Sequence, residues 1–121
     1  MQKWSFQESM SCVLCGGGVE NRQHLFVLCP FARQILDALF TGPMQVPQFQ
    51  TWEAMVSWLL EKYNKQVEEA ETWRFIWQTW ISHTWRERCR RLYGDKVRGS
   101  QELISGMKAE IVYVLGRDRV N

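Results

Sequence analysis

Cysteine and histidine are concentrated in one short stretch, C-V-L-C-G-G-G-V-E-N-R-Q-H-L-F-V-L-C-P-F, running from residue 12 to residue 31. Cys12, Cys15, His24 and Cys29 stand in it at the spacing C-x2-C-x8-H-x4-C. Three soft thiolates and one imidazole suit Zn2+, and four such ligands complete a tetrahedral shell. Two cysteines separated by two residues can grip one ion from a single tight turn. Gly16, Gly17 and Gly18 follow at once. Glycine adopts positive φ without steric cost, so backbone amides there can point at the sulfurs. One structural zinc ion per chain is the expectation. The competing reading is a disulfide or free core thiols. The first fifteen residues hold Lys3, Trp4 and Glu8 but no apolar segment of a secretory signal. An intracellular, reducing compartment, nuclear or cytoplasmic, is therefore expected, and there close cysteine pairs bind metal more often than they form disulfides.

The second chemical feature is cationic. The chain's formal net charge is only +2, so it is no general magnet for polyanions, but the charge is unevenly spread. Residues 61–71 hold Lys62 and Lys65 against Glu61, Glu68, Glu69 and Glu71. Residues 74–98 hold Arg74, Arg86, Arg88, Arg90, Arg91, Lys96 and Arg98 against Glu87 and Asp95. Trp85 and Tyr93 are interleaved with that basic cluster. Guanidinium groups bind phosphate, and aromatic faces stack on unpaired bases. Trp85, Arg86, Arg88, Arg90, Arg91, Lys96 and Arg98 are thus candidate contacts to RNA or DNA, with Arg22 and Arg33 near the cysteines as further candidates. A basic helix end matched to the helix dipole is the plainer explanation.

The cysteine-rich stretch also resembles the zinc-binding domain near the C-terminus of plant LINE-type (non-LTR retrotransposon) reverse transcriptases. That family reads C-x-x-C, an acidic residue, then H-L-F-x-x-C-P-x-A. Glu20, His24, Leu25, Phe26, Cys29, Pro30, Phe31 and Ala32 follow the pattern in order. Downstream, W-x-x-W-x-x-x-x-W-R-E-R from Trp77 to Arg88 is similar to the family's later helix, although Cys89 stands where the family usually has Asn. The resemblance implies a CCHC zinc finger and contacts to element RNA or target DNA. Met1 fits a free-standing reading frame or a piece of a longer reverse transcriptase equally well.

The elements that must position these groups follow from hydrophobic periodicity. A short helix over residues 20–28 carries His24, with Glu20 in its first turn. Pro30 suits the first position of a second helix, to about residue 40, with Phe31, Ile35, Leu36 and Leu39 inward. Thr41, Gly42, Pro43 and Pro47 predict a loop over 41–50. Thr51 is a candidate N-cap for a helix over 52–63, with Trp52, Met55, Val56, Leu59, Leu60 and Tyr63 on its stripe and Trp58 off it. The longest pattern spans 67–93. Trp73, Ile76, Trp77, Trp80 and Thr84, with Ile81 beside them, line its apolar face, while Trp85 is expected to be partly exposed. Ser100 caps a last helix over 101–115, with Leu103, Ile104, Met107, Ile111 and Val114 buried, Val112 and Leu115 widening the stripe, and Gly116 ending it. Residues 1–11 read as a lead-in anchored by Trp4 and Phe6, and residues 117–121 as a frayed tail. The expected fold is all-α, one domain: a zinc-stapled knuckle over 12–40, then an irregular bundle of about three longer helices over 51–121, packed on it.

Catalysis is not expected. A closed four-ligand shell has no open position for an activated water, the H-x-E signature of zinc deaminases is absent, and His83 and Cys89 fall about 120° apart around one helix. No apolar run approaches the roughly 20 residues of a membrane span. Two expectations remain: a nucleic-acid contact through the basic cluster, or a protein-interaction module, with a protein partner or a second copy binding the Trp-rich helix 67–93.

Overall fold

The structure, a computed structural model, describes residues 11–41, 45–63, 68–94 and 96–119. Trp4 and Phe6 therefore lie outside the described residues. The elements are a π-helical turn at His24–Leu28, then α1 (Pro30–Leu39), α2 (Trp52–Tyr63), α3 (Glu68–Leu92) and α4 (Ser100–Arg119). Among the described residues there is no strand, only one isolated antiparallel bridge between Ser11 and Val19. The all-α expectation holds.

Local chemistry explains most boundaries. Pro30 occupies the first turn of α1, where its missing N–H costs nothing. Thr51 caps α2: the Ala54 N–H donates to Thr51 Oγ1 at 3.1 Å. Gly94, at φ 78°, turns the chain out of α3. The expected stop at Gly116 is not used. Helix α4 runs through it to Arg119, since one glycine costs a helix only about 1 kcal/mol against alanine and no proline follows.

Helix α1 packs against α3 and α4, α2 packs against α3, and the His24 turn sits on α1 and α2. The tryptophans are core. Trp80 is fully buried, and its indole N–H donates to the Ala32 carbonyl of α1 at 2.9 Å. Phe40 stacks on Trp73 with centroids 4.6 Å apart, and Phe26 meets Trp80 edge-on at 5.6 Å. Edge-on and offset contacts of this kind add about 0.5–1.5 kcal/mol each beyond area burial. Trp58, off the stripe of its own helix, packs edge-on against Trp73 of α3 at 5.2 Å. Two stripe positions differ from expectation: Leu60 is 53% exposed and Val112 70%. In α2 and α4 the facing helices cover a narrower arc than the apolar sequence offers.

Candidate metal centre

The knuckle is built from a turn, a bridge and a cap. The Gly16 N–H donates to the Cys12 carbonyl at 2.8 Å, closing the Cys12–Cys15 turn, and the Cys12 N–H donates to the Gly18 carbonyl at 3.2 Å. The Gly17 N–H points at Cys15 Sγ at 3.4 Å, as the positive-φ glycines suggest; Gly16 has φ 79° and Gly18 φ 74°. Asn21 Oδ1 accepts from the His24 N–H at 2.7 Å, capping the turn that carries the imidazole. The Cys29 N–H donates back five residues to the His24 carbonyl at 2.6 Å. This wider turn seats Cys29 at the start of α1. Glu20 does not begin the helix, as expected from sequence, but precedes it and turns into the core at 1% exposure.

The four predicted ligands converge. Their donor atoms all lie within 4.8 Å of one another. Cys12 Sγ and Cys29 Sγ are 3.8 Å apart, and Cys15 Sγ is 3.2 Å from His24 Nε2. Two thiolates on a tetrahedral zinc, each about 2.3 Å from the metal, stand about 3.8 Å apart, so the donor set fits one zinc ion. The Cys29 thiol, donating to Cys12, holds the Cys12 thiol down at about 5 against the opposing effect of burial. That bond and burial push Cys29 up, opposed by the backbone of Ala32 at the start of α1. The remaining proton must leave when a metal takes both sulfurs, so zinc uptake releases protons. Cys89 lies outside the group.

Gly18 is constrained twice. Its φ of 74° disfavours any L side chain, and a Cβ there would stand 2.8 Å from both Cε1 and Nδ1 of His24. Gly18→Ala should cost roughly 1–2 kcal/mol for the left-handed backbone alone and displace the imidazole. Gly17→Ala meets open space and should bind zinc as the parent does. Competition against a chromophoric zinc chelator checks both: weaker zinc binding is expected only for Gly18→Ala.

The structure divides the basic cluster. Arg88 is 3% exposed, and its Nη2 donates to Glu20 Oε1 at 2.6 Å. Its guanidinium also lies 4.4 Å over the Trp85 ring. Trp85 is 9% exposed, which corrects the expectation that it is partly exposed. Arg91 is turned inward as well. It donates to Glu87 Oε2 at 2.9 Å and to the Arg98 carbonyl at 2.7 Å, reaches the Val13 and Leu14 carbonyls at 3.4 Å, and covers the Phe31 ring at 4.8 Å. These two arginines fasten α3 to the knuckle, so the structure does not offer them to a phosphate. Arg33 donates to the Val46 and Pro47 carbonyls and pairs with Asp37, and Arg22 covers Trp52 at 4.9 Å. Arg98 makes an exposed, 3.8 Å pair with Glu102, the kind worth little. Arg86 and Lys96 are exposed and Arg90 is half-buried; among the described residues none of these three pairs with a carboxylate.

Sequence reasoning missed Glu20 and Glu87 as the buried acids that receive these arginines, and Asn21 as a cap. Asn21, three residues ahead of the His24 amide, carries a visible capping signal. Glu20 and Arg88 are 68 residues apart, and nothing local links them.

Fold and site together define a small all-α domain with a structural Cys3His zinc centre. Residues 1–35 of its 121 match the family model described as zinc-binding in reverse transcriptase. No curated protein and no solved structure gives a significant match to the chain.

Proposed function

We propose that the chain is a non-catalytic zinc-binding module of the kind found near the C-terminus of plant LINE-type reverse transcriptases, and that it contacts RNA or DNA through the outer face at the C-terminal end of α3. The observation that carries this reading is the sorting of the basic cluster. With 3.6 residues per turn, Arg86, Arg90 and Tyr93 fall within about 60° of one another, while Arg88 and Arg91 lie roughly 140–160° from Arg86. The inward arginines are consumed by carboxylates and carbonyls. The outward ones, with Lys96 beyond the helix end, keep their charge for a polyanion.

Two further features support it. Four zinc ligands leave no position for a reactive water, and His83 is engaged with Glu110 at 2.9 Å rather than with Cys89. The alternative, a protein-interaction module with a partner protein or second copy on the Trp-rich helix, drew on the tryptophans of α3; Trp73, Trp77, Trp80 and Trp85 are all buried within the chain itself. No helix among the described residues is long and apolar enough to cross a membrane. A nuclear or cytoplasmic location accords with a nucleic-acid partner.

Fluorescence anisotropy with labelled RNA and DNA across a salt series tests the reading. The double reversal Arg86→Glu/Arg90→Glu should weaken binding strongly and reduce the slope of log affinity against log salt by about two, near one per lost phosphate contact. Unchanged affinity would place the contact elsewhere or nowhere.

A further inference from the structure

Tyr93 is the most exposed large apolar side chain among the described residues, at 82%. Its N–H still donates to the Cys89 carbonyl at 3.1 Å, so it keeps the register of α3 and continues the row of Arg86 and Arg90. Gly94, at φ 78°, turns the backbone away immediately afterwards. The ring therefore stands at the rim of the helix end, and among the described residues no ring or cation packs on it. Val97, 58% exposed, and the exposed Lys96 follow within four residues. An exposed aromatic face on the same side of the helix as the exposed Arg86 and the half-buried Arg90 has no role within the chain's own core.

We infer that the nucleic acid is single-stranded at this site, and that Tyr93 is a platform on which one unpaired base stacks while Arg86 and Arg90 hold the flanking phosphates. This rests on the nucleic-acid reading above. A duplex keeps its base faces stacked inside and presents only edges and backbone. A solvent-facing ring next to phosphate-binding cations instead complements a strand whose bases are splayed, and every base has a π-face to offer. The chemistry is shared by RNA and DNA.

The test uses the zinc-loaded full chain with labelled single-stranded RNA, single-stranded DNA and a duplex of equal length, at one low salt concentration. Single strands should bind at least about tenfold more tightly than the duplex. Tyr93→Ala should weaken single-strand binding by about 5- to 150-fold, the loss corresponding to one stacked base. Tyr93→Trp should retain binding, and duplex binding should be indifferent to both. Circular dichroism of the Tyr93 variants should match the parent. Comparing the two single strands shows whether the 2′-hydroxyl contributes. Equal affinity for duplex and single strand, or an unaltered Tyr93→Ala while Arg86→Glu/Arg90→Glu abolishes binding, would overturn the stacking inference and leave the nucleic-acid reading standing. No binding, or binding indifferent to the charge reversal, would overturn both.

Discussion

Stripping zinc from this chain should unfold the knuckle over residues 12–29 and loosen the helices packed on it. Few regular hydrogen bonds hold residues 12–28: one isolated bridge, one tight turn and one helical turn. Beyond those, the segment is held by the metal, by the burial of Leu14, Leu25, Phe26 and Val27 against the helices, and by the Arg88 and Arg91 contacts from α3. Structural zinc contributes about 10–16 kcal/mol of apparent binding free energy in zinc-finger peptides, and that energy is folding energy. It is as large as the roughly 5–15 kcal/mol by which typical domains are stable. Because Phe26 and Cys29 belong to the same core as Trp80 and Ala32, the damage cannot stay local. The expected results are one zinc per chain by elemental analysis, and loss of helical circular dichroism and of cooperative melting after strong chelation. Cys12→Ser and Cys29→Ser should lose the metal, whereas Cys89→Ser should keep it. Acidification should release zinc, because protons compete for the thiolates. A metal-free preparation with unchanged helix content would remove the structural role.

Removing the Arg88 guanidinium has the second largest expected effect. Glu20 and Arg88 are 1% and 3% exposed, and Glu20 Oε2 has no hydrogen-bond partner among the described residues, so Arg88 is the cation that makes this buried carboxylate tolerable. Breaking such a pair from one side costs about 3–5 kcal/mol, chiefly because the surviving charge stays buried. Arg88→Ala should therefore destabilise the zinc-loaded protein by that amount in urea unfolding, and Trp85 loses the cation that covers its ring. Arg86→Ala, two residues away on the outer face, should stay within about 0.5 kcal/mol of the parent. The double change Glu20→Leu/Arg88→Met should recover most of the loss, since apolar replacement of a whole buried pair is often neutral. Arg88→Ala and Arg86→Ala behaving alike, or a double variant as unstable as the sum of the singles, would refute the account.

The two arginines also mark how far periodicity alone reaches. The apolar stripe of α3 passes through Trp73, Trp77, Trp80 and Thr84. Continued by the same steps of three and four, it arrives at Glu87, Arg88 and Arg91, all on the inward face. Their burial was thus written in the helical repeat. Reading the basic residues as one cluster, because they are neighbours in sequence, set that repeat aside. Trp85 misled for a related reason: it lies off the stripe and is buried by an arginine that must reach the knuckle for Glu20. The exposure of Leu60 and Val112 shows the converse. A stripe states which side of a helix can be buried, but the neighbouring helices decide how wide an arc they cover.

By itself, the sequence determined the donor set and the helices. Ligand chemistry depends on residue type and on spacings of two to eight residues, which the chain carries locally. Helix faces, the proline at the start of α1 and the Thr51 cap are equally local. Tertiary structure alone decided which carboxylate meets which arginine, that Gly18 must leave room for the His24 imidazole, and which of the six cations from Arg86 to Arg98 remain available to a ligand. Those outcomes depend on contacts between segments up to 68 residues apart, where the desolvation of a charge is settled only once the helices have chosen their neighbours.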